Sequence, residues 1–128
     1  MHMTRHHIRL AVVLTGILAM VLTTGMPIHS AFGEGGARRD VVRQEQRNIK
    51  DAITHATEAV EHGKQGHPEQ LVTHAEASLQ LAQRGGESPH VAEAITHLKE
   101  AIEHGKAGHT DVAARHAESA VTHLSQIK

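Results

Sequence analysis

From residue 90 onward, apolar side chains recur at steps of four, three and four: Val91, Ile95, Leu98 and Ile102. This is the seam of an amphipathic helix. In heptad letters, Ile95 and Ile102 take position a, and Val91 and Leu98 take position d. Ile49, Ile53, Ala56 and Val60 repeat the seam 42 residues earlier. The likeness extends well beyond it. NIKDAITHATEAVEHGKQGHPEQLVTHAEASL from Asn48 aligns with HVAEAITHLKEAIEHGKAGHTDVAARHAESAV from His90, sharing AITH, an EHGKxGH turn and a later HAE. A period of this size marks a duplicated supersecondary unit, here a helical hairpin.

Ala, Glu, Leu, Lys and Gln fill most other positions, all good helix formers. Gly63 and Gly105 suit the position just past a helix end, and Pro68 and Pro89 suit a first turn. Ser88 and Thr110 suit N-caps, while Gly85-Gly86 separates the two hairpins. The punctuation predicts helices near 40–62, 68–84, 89–104 and 110–127. Short connections make successive helices antiparallel neighbours. The expected fold is therefore all-α, an up-down-up-down four-helix bundle of two tandem hairpins, about 40–84 and 89–127. Residues 34–39 (EGGARR) are expected to form a mobile lead-in.

The first 33 residues read differently. Arg5 and Arg9 precede an apolar run from Leu10 to Leu22, about thirteen residues long, which suits a signal peptide and is short for a membrane span. Ala31-Phe32-Gly33 offers a cleavage site after Gly33, with Ala31 as the alternative cut and an uncleaved anchor as the competing reading. The mature chain is expected to be exported, to a bacterial periplasm, with no membrane attachment after cleavage. Its formal charge is −3 with His neutral, because all fourteen acids and eleven of the thirteen basic residues follow Gly33. With no Cys there is no disulfide and no thiolate metal site. With no Trp or Tyr, and with Phe32 before the cut, the core can hold only Ala, Val, Ile and Leu. A bundle of such small groups should be modestly stable.

Fourteen histidines in 128 residues change the picture. His2, His6, His7 and His29 leave with the signal peptide. His90, His97 and His104 lie seven apart, as do His109, His116 and His123, with one gap of five between the sets. All fall at position c, on the flank of the helix. Two turns of helix rise about 10.5 Å, too far for two such histidines to share an ion. The gap of five supplies the geometry instead. Folding about the turn pairs His104 with His109, His97 with His116 and His90 with His123. In the first hairpin His62 pairs with His67 and His55 with His74, while the third rung falls on Asn48 and Leu81 and is lost. Mostly small residues at position g (Ala52, Ala59, Ser78, Ala94, Ala101, Ala113 and Ala120, with Leu71 the exception) let the paired helices approach.

Imidazole pairs suit borderline divalent ions, with Cu(II) first and Ni(II) or Zn(II) possible. Several open, exchangeable sites per chain are expected. Asp51, Glu58, Glu93 and Glu100 sit at position f beside the stripe. They read first as surface residues, with Glu93 and Glu100 supporting solubility or pairing with Lys99 and Lys106, and second as ligands. Lys64 and Lys106 suit helix C-termini. The basic group Arg38, Arg39, Arg43, Arg47 and Lys50 is interleaved with acids and reads as a solvated face, not a nucleic-acid site.

The EHGKxGH turn, the heptad-spaced histidines and the HAE helix resemble the small metal-binding protein family of ammonia-oxidising bacteria, over about residues 48–124. The resemblance implies a periplasmic, monomeric four-helix bundle that binds several divalent ions, copper above all, for storage, buffering or detoxification. Carried over by position, the metal ligands are His55, His62, His67, His74, His90, His97, His104, His109, His116 and His123. Asn48 and Leu81 depart from the pattern. A different reading of the same ladder is a pH-responsive bundle that opens as the histidines charge. A metalloenzyme is disfavoured, because no nucleophile or substrate pocket is evident in the sequence.

Overall fold

The computed structural model describes residues 34–128. Among them are four helices and no strand: α1 Glu34–Lys64, α2 Pro68–Ala82, α3 Pro89–Lys106 and α4 Thr110–Ser125. The expected signal segment and cleavage site lie outside the described residues. Each helix packs against its two neighbours around the bundle, α1 on α2 and α4, α3 on α4 and α2, while α2 and α4 touch little across the diagonal. None of these helices is long and apolar enough to cross a membrane.

Two boundaries correct the sequence expectation. Residues 34–39 are helical, because α1 begins at Glu34. Past Gly36 the chain has Ala37, Arg38 and Arg39, good helix formers, and Arg43 Nη1 lies 3.3 Å from Asp40 Oδ1 one turn away. Residues 35–44 are exposed throughout, including Val41 and Val42. The second correction concerns the turns. Gly63 and Gly105 lie inside the last turns of α1 and α3, and the left-handed position past the helix is taken by Gly66 (φ 74°) and Gly108 (φ 78°). Gly63 and Gly105 are instead close-approach residues. A Cβ at Gly63 would stand 2.7 Å from Ala114 Cβ, and one at Gly105 would stand 2.6 Å from Val72 Cγ2. Thr110, expected as an N-cap, is the first residue of α4, and His109 stands at the cap. Ser88 caps α3 as expected, its side chain accepting from Val91 N at 3.2 Å.

The core runs through d and g. Ala52, Ala56, Ala59, Ala94, Ala101, Ala113, Ala117 and Ala120 are fully or almost fully buried, with Leu71, Leu98 and Leu124 as the large groups among them. Ile53 and Ile95, at a, are only partly buried, while Val60, Ile102 and Ala114, also at a, are buried. The buried stripe is thus wider than a/d and takes in g, the side facing the hairpin partner. Alanine at g lets the helices of a hairpin sit close, which hides g. Ser78, at g in α2, is fully buried and donates to Ala52 O at 2.7 Å, so its hydroxyl is satisfied. The hairpins are pinned to each other by Lys64–Glu118 (2.6 Å) and Lys106–Glu76 (2.8 Å).

Candidate metal centre

All five histidine pairs meet across their hairpins. Ring centres are 5.7 Å apart for His55–His74 and His97–His116, and 6.0 Å apart for His62–His67, His104–His109 and His90–His123. Diagonal neighbours are as close. His62 lies 5.1 Å from His74, His104 lies 5.3 Å from His116, and His97 lies 5.5 Å from His123, with rings nearly parallel. The imidazoles of each hairpin therefore form a continuous zigzag along the groove.

The turn rungs follow from local backbone geometry. His67 N donates to His62 O at 2.9 Å and Gly66 N to Gly63 O at 3.1 Å. His109 N donates to His104 O at 2.9 Å and Gly108 N to Gly105 O at 3.0 Å. This is the Schellman pattern, in which the third residue from the helix end and the second beyond it meet side chain to side chain. An apolar contact commonly fills that place, whereas here both positions are histidine in both turns. The five-residue gap is this motif, and the heptad carries the register up the groove to the other rungs.

Three rungs also hold a carboxylate: His55–Glu58–His74, His90–Glu93–His123 and His97–Glu100–His116, each offering ligand atoms that all lie within 4.8 Å of one another. Glu58 Oε2 stands 3.0 Å from His55 Nδ1 and 2.9 Å from His74 Nδ1, and the two nitrogens are 3.4 Å apart. Glu100 Oε2 stands 3.1 Å from His97 Nδ1 and 2.9 Å from His116 Nδ1, again with 3.4 Å between nitrogens. Triangles of this size let one ion sit about 2 Å from all three atoms, a normal metal–nitrogen and metal–oxygen bond length. Glu93 is placed less evenly, 2.8 Å from His123 Nδ1 and 3.9 Å from His90 Nδ1.

The structure brings these acids between the histidines, the arrangement that the sequence left as the second reading. Glu100 and Glu93 lie on histidines, and Lys106 pairs with Glu76 instead. The signal was a His-x-x-Glu step at 55/58, 90/93 and 97/100, broken at 62/65 and 104/107, where Gln65 and Ala107 stand. Asp51 keeps the step, but its rung has Asn48 and Leu81 in place of histidines.

The donor set fits a metal ion on a further count. The Nδ1 atoms of His62, His90 and His123 are inaccessible to solvent and make no hydrogen bond. His123 Nδ1 is close to Glu93 Oε2, but off the line a hydrogen bond needs. A buried polar atom without a partner carries a desolvation cost that an ion would remove. Two imidazoles and one carboxylate suit borderline divalent ions, and the half-exposed Glu58 and Glu100 leave the outer side of each site open to water.

A family model described as small metal-binding protein matches residues 7–127, spanning all four helices and the ten paired histidines. The chain belongs to this family. No curated protein matches it. For this small metal-binding protein family member, the three His–Glu–His groups are places where a metal can be held.

Proposed function

We propose that the protein is an exported, monomeric, non-catalytic binder of several divalent transition-metal ions, Cu(II) before Ni(II) or Zn(II), which stores, buffers or detoxifies them in the periplasm without nucleic-acid partners. The observation that carries the reading is the trio of His–Glu–His groups with converging ligand atoms. The preference for Cu(II) rests on the intrinsic order of divalent affinities for nitrogen and oxygen donors. Open coordination on the solvent side suits rapid uptake and release more than a closed structural role.

Calorimetric titration of metal-free protein with Cu(II) tests it. Several equivalents are expected, weakening as pH falls through the range where free imidazole takes up a proton, about 6.5, because only the neutral ring ligates. The combined variant Glu58→Gln, Glu93→Gln, Glu100→Gln should weaken three of those equivalents by at least about tenfold, since a charged donor becomes neutral. Uptake of less than one equivalent per chain would overturn the proposal.

A further inference from the structure

The two turn rungs differ from the other three in a way that changes which ion they suit. Residues 65 and 107, where a carboxylate would stand, are Gln65 and Ala107. An ion held by His62 and His67, or by His104 and His109, therefore meets two neutral nitrogens and no anionic oxygen. A divalent ion there keeps its whole charge and must find its remaining ligands in water. A closed-shell monovalent ion of the Cu(I) or Ag(I) kind is satisfied by two nitrogens in line.

The spacing agrees. With metal–nitrogen bonds of about 2 Å, two imidazoles on opposite sides of one ion have ring centres about 6 Å apart. The turn pairs measure 6.0 Å in both hairpins, as does His90–His123, so the spacing admits such an ion and the missing carboxylate is what sets the turns apart. Their Schellman hydrogen bonds hold the two residues together through the backbone alone.

Independent observations point to a ligand in these turns. His67 and His109 occupy the N-cap positions of α2 and α4, and neither side chain makes a capping bond. Ser88 does so at the start of α3, and Ser, Thr, Asp or Asn would do so at the other two. Both helices thus give up a cap to keep an imidazole. His62 Nδ1 is shut away from solvent with no partner.

We infer that the His62–His67 and His104–His109 pairs are a second class of site, selective for monovalent d10 cations, beside the three carboxylate-bearing sites for divalent ions. The inference rests on the metal-binding reading of the chain and gives a different ion to the two turn pairs, which lie outside the three His–Glu–His groups.

Native mass spectrometry can separate the two. Metal-free protein is loaded with Zn(II) and then titrated with Ag(I). Wild-type protein should take up two more Ag(I) than the His67→Ala, His109→Ala variant, with equal Zn(II) on both. His62→Gln, His104→Gln, altered from the other side of each pair, should show the same loss with helix content unchanged by circular dichroism. Equal Ag(I) uptake in wild type and both variants overturns the second class. So does Ag(I) that replaces Zn(II) ion for ion. Failure to take up Zn(II) at all would count against the proposed function, and the Ag(I) difference would still decide the turn pairs.

Discussion

The two hairpins share a seam and a turn, yet the second carries three histidine rungs and the first carries two. At the missing rung Asn48 is buried. Its Nδ2 donates to Arg84 O at 2.7 Å, and its Oδ1 accepts from Gln44 Nε2 at 3.0 Å. Its neighbour Ile49 packs against Gly85, where a side chain would have no room. The α2–α3 connection therefore passes over the middle of α1, at the open end of the first hairpin, and an amide that ties the connection down stands where the second hairpin has a histidine. Leu81, opposite, packs against the core. In the second hairpin the same end holds the His90–Glu93–His123 group. The two matching grooves thus differ at this end: one hairpin holds a His–Glu–His group there, and the other fastens the chain.

Restoring the rung is the most forceful way to break this contrast. The variant Asn48→His, Asp51→Glu, Leu81→His should add one Cu(II) equivalent to the first hairpin. It should also lower the stability of the metal-free protein by about 1–3 kcal/mol, because the Arg84 carbonyl loses a buried partner, and somewhat further through the lost packing of Leu81. Saturating Cu(II) should return part of that loss. Urea denaturation with and without metal reads the stability, and native mass spectrometry counts the ions. An unchanged count in a folded variant would show that the connection, and not the identity of residues 48 and 81, closes this position.

The contrast also shows what was legible in the sequence. The histidine pairings were, because they depend on two local rules, the heptad and the five-residue turn, and both act within a single hairpin. The role of Glu58, Glu93 and Glu100 was less so. A glutamate three residues after a histidine serves equally well as a solubilising group, and only the facing helix brings its oxygen between two imidazoles. Asn48 was visible as a departure from the pattern, but its hydrogen bond to Arg84 depends on how the two hairpins are joined. Gly63 and Gly105 were misplaced for a similar reason. Next to a turn, glycine suggests a left-handed end, while the need for close approach arises from α4 and α2, which lie elsewhere in the chain.

Those two glycines give a finer comparison. At Gly63 a Cβ would meet Ala114 Cβ at 2.7 Å, which has no rotamer to move into, and Thr110 O at 3.1 Å. At Gly105 it would meet Val72 Cγ2 at 2.6 Å and Leu71 Cδ2 at 3.0 Å, the ends of side chains that can turn aside. Overpacking costs about 1–3 kcal/mol, and replacing a helical glycine by alanine returns about 0.5–1 kcal/mol. Gly63→Ala should therefore destabilise by about 1–2 kcal/mol and Gly105→Ala by less than about 0.5 kcal/mol, measured by urea denaturation. Equal losses would mean that the α1–α4 and α2–α3 contacts are equally compliant.

The smallest difference is expected where the hairpins look most alike. Lys64–Glu118 and Lys106–Glu76 link them at 2.6 Å and 2.8 Å, with every side chain about half exposed or more. Exposed ion pairs of this kind contribute about 0.2–1 kcal/mol and weaken with salt. Double-mutant cycles with alanine at each pair should give coupling energies below about 1 kcal/mol, equal within error, and close to zero in 1 M salt. Neither cycle should alter the number of Cu(II) ions bound, because the lysines face the other hairpin and the histidine grooves lie within each. A changed metal count in Lys64→Ala or Lys106→Ala would mean that docking of one hairpin on the other sets the width of the groove, and the two ladders could then no longer be treated as independent.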